Sequence, residues 1–157
     1  MEKKEREKIK NQAFALALEA FEADEIPVGA VIFNSQTGKI IAKAHNQTEH
    51  KKDVLAHAEM QTIRLASKKL GRKFLDGYSM YVTLEPCTMC AGAISWARLD
   101  AIYYGAADPK TGAIRQGAKV FMRSQTHHKP KNRLISTPEC GQIMSQFFKA
   151  KRLSKKV

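Results

Sequence analysis

Apolar and polar positions along this chain change period several times, and each change marks an element. Over residues 3–23, Ile9, Ala13, Leu16, Ala17 and Ala20 recur at helical spacing, which predicts an amphipathic helix broken by Ile26-Pro27. Val28 to Phe33 is a continuous apolar run. The pattern returns from Lys39 to His45 after the polar stretch Asn34 to Gly38, and the two runs predict an antiparallel hairpin. Ala56 to Leu70 predicts a second helix, with Met60, Ile63 and Leu70 near its buried face and Gly71 at its C-terminal cap.

Ser79 to Thr83 predicts a short buried strand. Pro86 opens a third helix that reaches about Arg98, a use of proline at a first helical position, and Ala101 to Tyr104 is the next strand, closed by Gly105. Residues 105–118 are a glycine-dotted loop. Between 119 and 137 two stretches stay open: Lys119 to Met122 is short and alternating, and Arg133 to Ser136 fits a last strand. A final helix begins near Pro138 and carries Ile143, Phe147 and Phe148. Strands separated by helices imply parallel pairing from the third strand on. The expected fold is α/β, one domain over residues 1–157, with a mixed central sheet between helices in three α/β/α layers.

Composition narrows the class. Hydrophobic residues make up 43% and charged residues 27%, a globular balance, and no apolar run nears the roughly 18 residues of a membrane span. The first ten residues mix five cations with three anions, which does not read as an export signal, so the cytoplasm is the expected compartment. The cysteines, Cys87, Cys90 and Cys140, cannot all pair, and a metal or a reactive thiol is expected before a disulfide framework. Net charge is +12, and its location matters. Residues 1–109 carry 15 Lys and Arg against 14 Asp and Glu, whereas residues 110–157 carry 12 against Glu139 alone. Such a block is either a solvated tail or the face of an anionic partner. Its candidate phosphate contacts are Lys149, Lys151, Arg152, Lys155 and Lys156.

Two motifs supply chemistry. His57-Ala58-Glu59 stands at the predicted start of the second helix, and Pro86-Cys87-Thr88-Met89-Cys90 at that of the third. Cys-x-x-Cys puts two sulfurs on one side of a turn, and a helix N-terminus favours thiolates. With His57 they make three ligands of the type zinc takes at a catalytic site, leaving one position for water. In mid-helix, residues two apart diverge by roughly 200°, but at a helix end Glu59 can reach the same water and shuttle its proton. Alone, Cys-x-x-Cys also fits a thiol redox pair or half of a structural zinc site, though a four-cysteine site needs one cysteine more than the chain has. In this order, H-x-E followed by P-C-x-x-C is the signature of zinc nucleobase deaminases.

Four stretches extend the match: Glu25-Ile-Pro-Val-Gly-Ala-Val31, Ala56-His-Ala-Glu-Met60, Tyr81 to Ile94, and Tyr104-Gly-Ala-Ala-Asp-Pro-Lys-Thr-Gly-Ala113. With Phe147-Phe148 near a basic end, the chain resembles the bacterial tRNA-specific adenosine deaminases. The resemblance implies a cytidine deaminase-like fold with about five strands, and a homodimer. It implies one zinc ion on His57, Cys87 and Cys90, with Glu59 as proton shuttle. The reaction it implies is attack of zinc-bound hydroxide on carbon 6 of the wobble adenosine in a tRNA anticodon stem-loop, with loss of ammonia to give inosine.

It further implies that Asn46 contacts the flipped-out nucleotide and that Pro27, Val28 and Ala58 line the base pocket. Asp108 is read either as a β-turn residue or as an acceptor for a ribose 2′-OH, which favours RNA over DNA. Lys110 and residues to its C-terminal side, a basic segment of about 110–157, face the RNA. Phe148 is a candidate base-stacking residue, and Phe147 a core or dimer contact. Trp96 and the small Ala91, Gly92 and Ala93 fit close helix packing, within the chain or across a dimer, and Cys140 a small buried apolar residue. From Leu134 to Pro138 the connection into the last helix is shorter than the family's. The rival readings are a free guanine, cytosine or nucleoside deaminase, and a non-catalytic RNA-binding subunit with structural zinc.

Overall fold

A computed structural model describes residues 1–155; Lys156 lies outside the described residues. The elements run α1 (Lys3–Glu22), β1 (Gly29–Asn34), β2 (Ile40–His45), α2 (Thr48–Lys51), α3 (Ala58–Leu70), β3 (Tyr78–Val82), α4 (Thr88–Trp96), β4 (Ala101–Tyr104), β5 (Lys131–Leu134) and α5 (Pro138–Lys155), with a 3-10 turn at Val120–Met122. The strands form one sheet in the order β2-β1-β3-β4-β5. β1 is antiparallel to β2 and β3, while β3, β4 and β5 are parallel. The expected hairpin and parallel crossovers are both present.

Alternation along the strands divides two cores. Val31, Phe33 and Tyr81 face α1 and meet Ile9, Ala13 and Leu16. Ala30, Ile32, Met80, Val82, Ile102 and Tyr104 point the other way and pack with Ala58, Ala66 and Ile94 of α3 and α4. α1 sits unusually close to the sheet because Gly29 has no side chain: a Cβ there would run into the Ala13 carbonyl and stand 2.9 Å from Ala17 N. α5 lies beside α1, joined by an edge-on Phe21–Phe147 contact at 5.9 Å and by Lys151 Nζ bonded to Asp24 at 2.5 Å.

Several local expectations shift. Pro86 precedes the cap of α4 and is not its first helical residue, because Cys87 keeps extended backbone (φ −73°, ψ 175°). The fully buried stripe of α3 is Ala58, Thr62 and Ala66, with Glu59 and Gln61 beside it, while Ile63 and Leu70 are partly buried and pack against the same core. Small side chains there let α3 lie close on β1 and β2, and Gln61 Nε2 donates to His45 O at 2.7 Å. Val120–Met122 forms a 3-10 turn capped by Lys119, and the last strand lies two residues earlier than expected, at Lys131–Leu134. Trp96 is 65% exposed and stacks on His127 instead of packing between helices. A Cβ added to Gly92 would meet nothing within 4 Å, so this glycine serves no close approach inside the chain.

Candidate metal centre and cleft

His57 is the N-cap residue of α3 and Cys87 that of α4, and neither side chain bonds its own helix end. Both therefore project past their helices, towards one another. His57 Nδ1 lies 3.7 Å from Cys87 Sγ and 3.4 Å from Cys90 Sγ, and the three donor atoms lie within 4.8 Å of one another. Tetrahedral zinc with ordinary bonds to sulfur and nitrogen spaces such neighbours about 3.6 Å apart. The donor set fits a zinc ion, with a fourth position left over.

The electrostatics suit a cation. The Cys87 thiol is held down to about 4, chiefly by a hydrogen bond from Cys90, with a further bond from His57. Cys90 is pushed up by the same bond and by burial, so without a cation the two sulfurs share one proton. The hydrogen bond to Cys87 raises His57 against the effect of burial. Glu59, in the first turn of α3, is 4% exposed, and burial raises its carboxyl to about 6. A carboxyl titrating near neutrality both accepts and returns a proton readily.

His57, Glu59 and Cys87 line a cleft of about 700 Å³, while Cys90 is fully buried and not among its lining residues. Val28, Asn46 and Ala58 line it with His57, Glu59 and Cys87, and Asp108, Lys110, Phe148 and Arg152 line it from the other elements. Pro27 is buried and is not among the lining residues; a tight turn closed by Val28 N donating to Ile26 O at 2.8 Å leaves Ile26 and Val28 at the cleft. Asn46 is 5% exposed, with Oδ1 accepting from Thr48 N at 3.3 Å, so it closes a turn and faces the cleft together. Asp108 likewise forms a turn: Oδ1 accepts from Lys110 N and Thr111 N, and Oδ2 from Thr111 Oγ1 at 2.6 Å.

The two phenylalanines divide. Phe147 is 6% exposed in the core between α1 and α5, whereas Phe148 is 42% exposed and lines the cleft. Of the basic residues of α5, Arg152 lines the cleft and Lys151 is engaged by Asp24. His127 stacks on Trp96, and His128 is bonded to Ser95 and Leu99.

Two buried carboxylates were not singled out by sequence. Glu25 accepts from Glu49 N and His50 N at 2.9 and 2.8 Å and so caps α2. Glu85 accepts from Asp108 N, Ile114 N and Arg115 N. The available signal was an acid next to an apolar run in each case, Glu25 before Ile-Pro-Val and Glu85 after Tyr-Val-Thr-Leu.

A family model described as MafB19-like deaminase matches residues 4–152. A tRNA-specific adenosine deaminase of Agrobacterium fabrum is 45% identical over 150 residues, covering 95% of this chain and 97% of that protein. A solved structure from a study of A-to-I editing by tRNA:A34 deaminases at the wobble position of transfer RNA shares 46% identity. It has a TM-score of 0.80 and covers 83% of this chain and 98% of that one. A guanine deaminase from Bacillus subtilis is 31% identical with a TM-score of 0.61, covering 93% and 94% of the two chains. The chain belongs to the MafB19-like deaminases, and within them to the bacterial tRNA-specific adenosine deaminases.

Proposed function

We propose that this protein converts the wobble adenosine of a tRNA anticodon loop to inosine by hydrolytic loss of ammonia. The observation that carries the proposal is the meeting of His57, Cys87 and Cys90, with His57, Cys87 and buried Glu59 lining a cleft that Lys110, Phe148 and Arg152 also line. His57 Nδ1 and the two sulfurs would hold one zinc ion, which would supply an acidified water molecule at the cleft floor. The water oxygen adds to carbon 6, and Glu59 takes its proton and passes it to ring nitrogen 1. A second proton reaches the exocyclic amine through the same carboxyl, and the carbon–nitrogen bond breaks to release ammonia.

The remaining residues bind and orient. Val28 and Ala58 form an apolar wall for the base, and Asn46 offers its amide to the nucleotide. Asp108 Oδ2 keeps acceptor capacity beyond its turn bond, which a ribose 2′-OH can use. Lys110 and Arg152 meet phosphates, and Phe148 stacks on an unpaired base. An anticodon base is already unpaired, so extruding it costs little.

The same reading takes the chain as a single domain acting as a cytoplasmic homodimer. Large exposed apolar residues, Val54, Trp96 and Met122, support a subunit contact, and among the described residues no helix is long and apolar enough to cross a membrane. The test is ammonia release by zinc-loaded protein from a synthetic anticodon stem-loop, compared with free guanine, cytosine and adenosine. Release from the stem-loop alone is expected. Release only from a free base, unaffected by salt, assigns the cleft to small molecules instead.

A further inference from the structure

We propose that Glu85 is a positioning residue for RNA binding: its carboxylate holds the loop of residues 106–115 at the height above the metal ligands that the substrate requires. The inference rests on the assignment of the cleft to an RNA substrate. Glu85 is 2% exposed. Oε1 accepts from Asp108 N at 3.1 Å, and Oε2 accepts from Ile114 N at 3.0 Å and Arg115 N at 2.9 Å. The main chain adds two further ties. Glu85 N donates to Ala106 O at 2.8 Å, and Ala113 N donates to Pro86 O at 2.9 Å. One residue and its neighbour thus fix both ends of the loop, at 106 and 108 on one side and at 113–115 on the other.

The loop cannot set its own height. The bonds that shape its tip run from Asp108 to Lys110 and Thr111, within the turn. They define the turn but not its distance from the metal ligands. Glu85 supplies that distance, because it stands two positions before Cys87 in the same segment. The fit is tight: a Cβ on Gly112 would stand 2.7 Å from Glu85 Oε1 and 2.5 Å from Asp108 O.

A space-filling role does not account for the choice of residue. Among the described residues no Lys or Arg pairs with this carboxylate. A buried charge without a cation is costly to desolvate, and an apolar side chain would fill the same space more cheaply. What the carboxylate offers is two oxygens that together take three N–H groups, each bond strengthened by its charge. A glutamine has only one such oxygen. In Glu85→Gln the oxygen can satisfy Ile114 and Arg115, which leaves an amide donor facing the Asp108 N–H. The tip that carries Asp108 and Lys110 is then released first.

The test combines kinetics on a wobble-adenosine stem-loop with zinc analysis and amide hydrogen exchange. In the unaltered protein the amides of Asp108, Ile114 and Arg115 exchange slowly. In Glu85→Gln, KM rises by about 10-fold or more, kcat stays within about 3-fold, one zinc is retained, and exchange quickens at the loop alone. An unchanged KM with a fallen kcat, or loss of zinc with exchange quickened throughout, overturns the proposal. So does fast exchange of these amides in the unaltered protein. If Glu85→Gln does not fold, Glu85→Asp keeps the carboxylate but draws both oxygens back from the loop and must show the same rise in KM; an unchanged KM again overturns it. If the unaltered protein forms no inosine, the substrate assignment fails and the KM prediction with it. An active parent with an unmoved KM in the variant removes the Glu85 proposal and leaves that assignment standing.

Discussion

His57 Nδ1 lies 3.4 Å from Cys90 Sγ, although the two residues are 33 positions apart and stand on different helices. The contact exists because α3 and α4 bring their N-terminal ends together, with His57 and Cys87 as the two cap residues. Removing any one of them leaves two ligands and no tetrahedral site. We expect Cys90→Ala to lose bound zinc and to lower turnover by at least about 100-fold, by comparison with the tenfold to hundredfold effects of groups that merely support ligands. Metal analysis and initial rates check this, and chelation of the unaltered protein should reproduce it.

Glu59 lies beside these ligands without being one of the three. Glu59→Gln should therefore keep one zinc per chain and keep the fold, while turnover falls by about 10² to 10⁴, the range expected when a general acid–base group is lost. Loss of zinc in this variant would make Glu59 a ligand and remove its proton-transfer role.

The phosphate contacts are separable from the chemistry. Lys110→Ala and Arg152→Ala should each reduce the slope of log affinity against log salt by about 0.7 to 0.9, with zinc content unchanged. Fluorescence anisotropy of a labelled stem-loop across a salt series measures this. A truncation of Lys151, which is held by Asp24, should instead weaken the α1–α5 contact and leave the slope nearly unchanged.

Much of this site was legible because its chemistry lies in short motifs at helix starts, where His57, Cys87 and Cys90 need only local spacing. α1 was legible because Ile9, Ala13, Leu16 and Ala20 keep a strict helical period. The buried face of α3 was not, because it consists of Ala58, Thr62 and Ala66, too small and too polar to outweigh Met60 and Ile63 in a hydrophobic pattern. α2 was missed since its N-terminus is capped by Glu25, 24 positions away from Glu49. β5 carries Lys131, Asn132 and Arg133 at the sheet edge and therefore lacks the apolar alternation of a half-buried strand. For Glu85 the only signal was an acid after an apolar run, because its partners are backbone N–H groups, which leave no side-chain signature.

The contact beneath α5 predicts a loss of stability in alkali. Burial raises the Cys140 thiol to about 11, and burial also raises Tyr81, whose hydroxyl lies 3.3 Å from Thr137 Oγ1. Between pH 9 and about 11 the unfolded thiol has released its proton and the folded one has not. The native state then binds more protons, so stability falls as pH rises, by about 2 kcal/mol across that window. Below pH 9 the contribution is flat. Urea midpoints measured from pH 8 to 11 should show this slope in the unaltered protein and a shallower one in Cys140→Ala.

The central claim is most directly tested by incubating the zinc-loaded protein with total tRNA and mapping inosine by nucleotide position. Inosine is expected at the first anticodon position of an adenosine-bearing tRNA, and none there with Glu59→Ala. Unmodified anticodons after incubation with protein that carries its zinc would contradict it.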